Sequence, residues 1–381
     1  MLNKVFYIVL SVAVLLPCFV LLSNGAGPVV SAESAVVMNA STGEVVFSKN
    51  PYEKMGMAST TKIMTSLIAL ENGDINKIIT VKKDDIAVEG TSIYLKEGDK
   101  ISIETLVKGM LLESGNDAAN VTATAVGGSK DGFATLMNLK ARRLGMFSTN
   151  FMNPSGLTEE GHYSTAYDMA LLGSAAINNE RFKEICSSNS FDVSFGEKNA
   201  SRTFYNHNKF LRMYEGALGI KTGFTKASGR CLVTAAKRGE VTYVAVTLDA
   251  PDDWNDHMKM MDFAFDNTTV NYVECDLSGF SVDVVGSSVK NVKVSIAKPL
   301  EVYCVRKVET YETVIYLPRF VYSGVNCGDV SGRVDLVGKN GVIIDSSPLI
   351  FNDSAPEDLT QLKEDLTLLE KIKNKFRKGL S

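Results

Sequence analysis

Apolar positions follow two rhythms along this chain, and the change between them comes near residue 270. Ahead of it, Ala35-Val36-Val37-Met38 and Glu44-Val45-Val46-Phe47 are short apolar runs on either side of Asn39-Ala40-Ser41-Thr42-Gly43, a cluster of the kind that closes a hairpin. Met64, Leu67, Ile68 and Leu70 then fall at helical spacing and predict a helix over residues 58–71. Leu106, Met110 and Leu111 open a second helical stretch, residues 102–127, that runs into small residues. Met169, Leu171 and Leu172 mark a third over 165–178. Strand-like runs return at 218–225, 231–236 and 241–248, the last two joined by Lys237-Arg238-Gly239-Glu240, and residues 258–265 suggest a further helix.

Beyond residue 270 the pattern shortens to β-type runs at 280–285, 292–296, 302–305, 313–317, 334–337 and 341–344, separated by turn residues. That spacing predicts a small all-β domain, sandwich-like in outline. After Pro356, Leu359, Leu362, Leu366, Leu369, Phe376 and Leu380 share one helical face. Acidic residues crowd the start of this segment and Lys371, Lys373, Lys375, Arg377 and Lys378 its end, which suits an amphipathic helix lying on an anionic membrane. The alternative is a helix packed on its own protein with charges matched to its dipole. At the other terminus, Lys4 precedes a nearly unbroken apolar run over residues 5–22, followed by turn-forming residues and Val30-Ser31-Ala32. This is the layout of a secretory signal cut after Ala32; an uncleaved anchor is the other reading. The expected domains are therefore a signal peptide over 1–32, a mixed domain over 33–268, a β-rich domain over 269–350 and a membrane-associating tail over 351–381.

Composition narrows the function classes. A formal net charge of −4, without a basic stripe interleaved with aromatics, gives no footing for nucleic acid. Removal of the signal leaves Cys186, Cys231, Cys275, Cys304 and Cys327. Their spacing matches no zinc pattern. One disulfide among the last three is open, and most read as small buried hydrophobes.

Three short motifs carry the candidate chemistry. In Ser59-Thr60-Thr61-Lys62 a hydroxyl stands three residues before an amine at a helix start, so the two share a face. A serine is a weak nucleophile until a base takes its proton. Lysine becomes such a base when burial and a second cation depress its pKa. The same spacing recurs at Ser287/Lys290 and Ser295/Lys298, in strand-patterned sequence, and Ser59 also fits a plain N-cap. In Ser114-Gly115-Asn116, a hydroxyl and a carboxamide can point into one cleft from a tight turn. Ser114 could relay a proton to a leaving amine and Asn116 could hold a substrate carbonyl; an ordinary turn with side-chain hydrogen bonds is the alternative. In Lys221-Thr222-Gly223, on a late strand, Lys221 could hold a substrate carboxylate or supply the second cation near Lys62. Thr222 could bond the same carboxylate, and Gly223 could let a peptide dock alongside as an added strand.

The three motifs in this order are those of the penicillin-recognising serine enzymes. Over residues 35 to about 268 the sequence resembles the low-molecular-mass penicillin-binding proteins, the serine-type D-alanyl-D-alanine carboxypeptidases. Met57-Ala58, Asn153-Pro154-Ser155-Gly156-Leu157 and His162-Tyr163-Ser164-Thr165-Ala166-Tyr167-Asp168 belong to the resemblance. It implies an α+β fold, an antiparallel sheet flanked by helices as in β-lactamases. It also implies attack by Ser59 on the bond between the terminal D-alanines of a peptidoglycan stem peptide, with Lys62 as base and no metal or cofactor. The N–H groups of Ser59 and Phe224 would form the oxyanion hole, D-alanine would take its proton through Ser114, and β-lactams would acylate Ser59. The location implied is outside the cytoplasm, on the outer face of the cell membrane.

Two departures stand out. Some members carry an arginine where His207 stands, or near Trp254-Asn255, and this chain has neither. Glu159 and Glu160 lie where a class A β-lactamase holds its deacylating carboxylate, but neither is followed by Leu-Asn at the required spacing. A β-lactamase and a non-catalytic peptidoglycan-binding protein are the rival readings. His162 and His257 show no metal spacing and read as structural.

Overall fold

The computed structural model describes residues 27–72, 74–196, 200–305, 311–338 and 341–357. The apolar run of the expected signal and the amphipathic tail lie outside the described residues. Among those described, no helix is long and apolar enough to cross a membrane.

The described chain falls into two compact units, divided after Thr269, with Tyr303 to Val305 belonging to the first. The first is built on a five-stranded antiparallel sheet. Its strands are β1 (Ser34–Asn39), β2 (Val45–Lys49), β3 (Ala217–Thr225), β4 (Gly229–Arg238) and β5 (Val241–Leu248), in the order β2-β1-β5-β4-β3. β1 is buried along its whole length, which explains why its sequence shows a continuous apolar run rather than alternation. Alternation is present all the same. Val36 and Met38 enter one core with Val233, Val244 and Val246, while Ala35 and Val37 enter another with Tyr243 and Ala245. Each fully buried valine contributes about 1.5–3 kcal/mol, so both faces of the sheet must be covered.

Helices cover both faces. They are α1 (Lys62–Asn72), α2 (Ile103–Leu112), α3 (Asn116–Gly127), α4 (Lys130–Arg143), α5 (Ala166–Ile177), α6 (Glu180–Ser187) and α7 (Asp253–Asp266). α5 lies against the first core, where a Cβ on Gly173 would come within 2.7 Å of Val244. It begins at Thr165, whose hydroxyl accepts from Asp168 N, the capping that Thr-x-x-Asp encodes. Met260, Met261 and Ala264 of α7 fill the second core. The stretch expected as one helix over 102–127 is two, α2 and α3, broken at Ser114, which has φ +60°. The helix expected over 58–71 begins with a 3-10 turn, Ala58–Thr61, before α1. α4 and α6 were not expected.

The segment just ahead of β1 is bonded to the body. The buried Asp256 accepts from Ser31 N and Ser31 Oγ, at 2.9 and 2.7 Å, and from Ala32 N at 3.0 Å. The expected cleavage boundary at Ala32 falls inside this bonded segment.

The second unit is all β. β6 (Ser281–Val285), β7 (Asn291–Ile296), β8 (Tyr311–Tyr316), β9 (Phe320–Tyr322), β10 (Val330–Gly338) and β11 (Ile343–Phe351) form one curled six-stranded sheet, ordered β8-β10-β11-β7-β6-β9. Val282, Val284, Val292 and Val294 alternate inward from β6 and β7 onto Phe351. The decoy serine–lysine pairs lie in this unit and do not meet as side chains. Lys290 reaches the Ser287 carbonyl and Lys298 pairs with Asp345. Among the described residues no disulfide joins the cysteines; Cys186, Cys231 and Cys304 are buried, as expected of most of them, and Cys327 is exposed.

Candidate active site

The 3-10 turn at the start of α1 is the centre of the site. With three residues per turn, positions i and i+3 eclipse, so Lys62 stands directly behind Ser59. Lys62 Nζ lies 2.9 Å from Ser59 Oγ and 2.7 Å from the Ser155 carbonyl oxygen. The N-cap is Met57, without a side-chain cap bond, so Ser59 is not the capping residue. It sits inside the first turn, where its own N–H has no intrahelical carbonyl to bond, while Thr60 N donates to Met57 O at 3.2 Å. Lys62 is completely buried. Burial pushes its pKa well below the ordinary lysine value, and the Lys221 charge pushes the same way, against a smaller opposing effect of Asp117. A neutral amine there donates one N–H to Ser155 O and keeps its lone pair for the Ser59 proton.

Two segments hold the turn from opposite sides. From one side comes Asn153–Gly156, where Asn153 Oδ1 accepts from Ser155 N and Gly156 N at 3.2 and 2.8 Å. Thr65 donates to the Pro154 carbonyl at 2.6 Å. Gly156 has φ +87°, and a Cβ on it would fall 1.9 Å from Ala58 O, so only glycine fits this approach. From the other side comes β3, the edge strand. A Cβ on Gly223 would lie 3.0 Å from Ser59 N and 3.1 Å from Thr60 N. The nucleophile is thereby wedged against the strand carrying Lys221, Thr222 and Phe224.

Lys221 is buried as well. It donates to the Thr222 carbonyl at 3.0 Å, and burial lowers its pKa to about 8. Ser114 reaches the cleft through its left-handed backbone, a strained conformation for serine. Its carbonyl accepts from Thr91 Oγ1 at 2.6 Å, and Asn116 N donates to Thr91 O at 2.8 Å. Asp117 ties the same loop down by accepting from Ser92 Oγ, Ile93 N and Leu95 N, each within 3.0 Å. Asn116 Nδ2 is engaged with Glu89 O at 2.7 Å, while its buried Oδ1 has no partner among the described residues. The carboxamide therefore has an unused acceptor, and one of its two N–H donors is engaged with Glu89 O.

A cavity of about 500 Å³ opens over Ser59. Ser114, Asn116, Thr222, Gly223 and Phe224 line it, so four motif residues and Phe224 converge with the nucleophile, while the two lysines are not among its lining residues. Gly90, Thr91, Leu157, Lys209, Arg230, Asp253 and Trp254 also line it without having been singled out as site residues. His207 is at the rim, 3.2 Å from Glu113.

The other two histidines brace the framework. His162 accepts from Met152 N on Nδ1 at 3.0 Å, so its Nε2 donates to Thr61 Oγ1 at 2.9 Å. His257 is buried between Thr234 and Thr247. Desolvation lowers the His162 pKa to about 4 and the His257 pKa to about 3. Both are neutral in the fold, whereas in the unfolded chain they take up protons below about pH 6.5. Their stabilisation is complete above that value and is lost as pH falls towards the folded pKa values. Each should remove about 1.4 kcal/mol per pH unit in that window. The urea midpoint is therefore expected to drop between pH 7.5 and pH 5.5 by the equivalent of about 2–3 kcal/mol. An unchanged midpoint would show that these imidazoles titrate normally.

The site is thus a helix-start serine backed by a buried lysine, on the edge of an antiparallel sheet covered by helices. The family model described as D-alanyl-D-alanine carboxypeptidase matches residues 23–252, and the chain belongs to that family. It is 36% identical over 244 residues to the D-alanyl-D-alanine carboxypeptidase DacF of Bacillus subtilis, a match covering 61% of this chain and 62% of that relative. The crystal structure of a D-alanyl-D-alanine carboxypeptidase from Mycobacterium tuberculosis superimposes with a TM-score of 0.61 at 30% identity, over 64% of this chain and 95% of that one. The carboxypeptidase DacD from Francisella tularensis has a TM-score of 0.62 over 87% of this chain and 95% of its own. At 24% identity, that likeness speaks to fold alone.

Proposed function

We propose that the protein is a serine D-alanyl-D-alanine carboxypeptidase that trims peptidoglycan stem peptides through an acyl-enzyme on Ser59. The observation that carries this reading is the buried Lys62 amine at 2.9 Å from Ser59 Oγ, beside a second buried lysine. Ser59 Oγ attacks the carbonyl carbon between the two D-alanines and its proton passes to Lys62. The oxyanion is met by the N–H groups of Ser59 and Phe224. The C–N bond then breaks, the leaving nitrogen takes the proton from Lys62 by way of Ser114, and D-alanine departs. Water completes the cycle by hydrolysing the ester. Lys221 and Thr222 hold the C-terminal carboxylate, Asn116 Oδ1 accepts from a substrate amide, and the edge strand with its Gly223 receives the extended peptide.

β-Lactams acylate the same serine and leave slowly. Among the described residues the one carboxylate lining the cavity is Asp253, already paired with Arg230 at 2.8 Å, and Glu159 is bonded to Asn153 Nδ2. Neither is free to activate water at the ester. The chain is exported, and we place the cut upstream of Ser31, because a cut after Ala32 would strip the buried Asp256 of its donors. The C-terminal segment attaches the enzyme to the outer face of the membrane.

Release of D-alanine from a synthetic stem peptide, with mass spectrometry of the penicillin-treated protein, tests this. One covalent adduct on Ser59 that persists for minutes is expected, along with an N-terminus ahead of Ser31. Turnover of the adduct within seconds would replace the reading by a β-lactamase. Peptide binding without release, unaffected by Ser59→Ala, would replace it by a binding protein.

A further inference from the structure

Resting on that reading, we propose that Arg230, clamped by Asp253, recognises the free carboxylate at the C-terminus of the substrate and makes the enzyme select peptide acids. The sequence places no arginine at residues 206–208 or 254–255, yet the fold brings one to the cavity wall from another strand. β3 ends at Thr225, and the chain reverses through Ser228 and Gly229 into β4, so that Phe224 pairs with Arg230 and Thr222 with Leu232. Paired residues in an antiparallel ladder share a face. Arg230 therefore stands on the same face as Thr222, as its diagonal neighbour, a separation that long side chains bridge.

The surroundings of Arg230 are those of a held recognition group. Asp253 Oδ1 accepts from Arg230 Nη2 at 2.8 Å and from Trp254 N at 2.9 Å, and its side chain is 5% exposed. The guanidinium side chain is 45% exposed at the cavity. A guanidinium carries five donors in one plane. Asp253 fixes that plane through one of them, and the others are left to form the parallel pair of bonds that a carboxylate accepts. Lys221 alone is a poorer anchor, since it is buried, bonded to Thr222 O and loses its proton above about pH 8. A guanidinium also offers the planar fork that matches a carboxylate. Lys209 also lines the cavity, but a single ammonium on a flexible stem does not present that fork.

The test compares a D-alanyl-D-alanine peptide with its C-terminal carboxamide on the wild-type enzyme, Arg230→Gln, Arg230→Lys, Asp253→Asn and Lys209→Met. Arg230→Gln should lower kcat/KM for the acid about 10- to 100-fold, mainly through KM, and leave the carboxamide nearly unchanged. Preference for the acid then collapses. Arg230→Lys should recover part of it, Asp253→Asn should show a smaller loss of the same kind, and Lys209→Met should keep the preference. Equal losses on both substrates would assign Arg230 a structural role, and an unchanged preference, or one lost in Lys209→Met instead, would also overturn the assignment. Urea unfolding of each variant checks that it is folded, and Arg230→Lys decides the matter if Arg230→Gln is not. Failure of the wild type to release D-alanine would overturn the peptidase reading and this assignment together; normal release with unaltered discrimination in the variants would overturn the assignment alone.

Discussion

Lys62→Met is expected to slow acylation of Ser59 by about 10³-fold while leaving the protein folded. General-base removal costs about 10²–10⁴ in rate, and no described side chain other than Lys62 stands at bonding distance from Ser59 Oγ. The effect on stability runs the other way. Lys62 is protonated in the unfolded chain at neutral pH, yet burial and Lys221 favour the neutral amine in the fold. A group of this kind lends stability above its unfolded pKa and withdraws it as pH falls, so at neutral pH it opposes folding. Methionine has similar length and no charge to desolvate. It forfeits the bond to the Ser155 carbonyl, which costs about 1–3 kcal/mol for an unsatisfied buried acceptor. The two effects oppose each other, and the net change should stay within about 2 kcal/mol. Rapid-mixing measurements with a fluorescent penicillin, alongside urea unfolding, separate rate from stability. Acylation within tenfold of the wild-type rate would exclude Lys62 as the base.

Gly156→Ala should be the most damaging change that adds a single methyl group. The new Cβ would fall 1.9 Å from Ala58 O, 2.5 Å from Ala58 C and 2.8 Å from Thr61 Oγ1, and the backbone there has φ +87°. A main-chain carbonyl cannot swing aside as a long side chain can. The Asn153–Gly156 turn must retreat, carrying the Ser155 carbonyl away from Lys62, or else Ala58 must move and take Ser59 with it. A loss of about 3 kcal/mol or more is expected, together with at least about a 100-fold loss in penicillin acylation, as misplaced catalytic groups incur. Gly43→Ala is the matched control. It has φ +73° and nothing within 4 Å of the added atom, so it carries conformational strain alone, about 1 kcal/mol, and should acylate normally. Similar behaviour of the two variants would show that backbone strain, rather than the contact with Ala58, governs Gly156.

How much of this could be read from sequence depends on whether the relevant distance is local. Ser59 and Lys62 are three residues apart on one turn, and spacing alone pairs them. The five sheet strands were visible as apolar runs, but their order was not, because β1 pairs with β5 across some two hundred residues. α4 escaped notice because Phe133, Met137 and Ala141 form a narrow stripe in an otherwise polar segment. The break between α2 and α3 was hidden by helix formers on both sides, Ser114 being forced left-handed by tertiary bonds to Thr91 rather than by its own preference. The Ser155 contact to Lys62 uses a main-chain oxygen, for which no residue type is diagnostic. Arg230 did carry a signal, a charged residue between Gly229 and the largely apolar run Cys231 to Ala236, but its meaning depended on the pairing of β3 with β4. In the second unit, alternation revealed strands such as β6, while the parallel pairing of β6 with β9 follows from long-range register.

The wedging of Ser59 between the Asn153–Gly156 turn and β3 bears on how the molecule can be assayed. Its reactive arrangement joins residues 59, 155 and 223, which the chain brings together only after the sheet has closed on its edge strand. Loops of that length are closed late, since their entropic cost precedes any reward. A partly assembled chain can therefore have α1 formed and its serine present, yet lack the carbonyl and the strand that make that serine reactive. Covalent labelling of Ser59 thus works as a census of native molecules. Applied during refolding, it would time the arrival of the last segment rather than the first collapse.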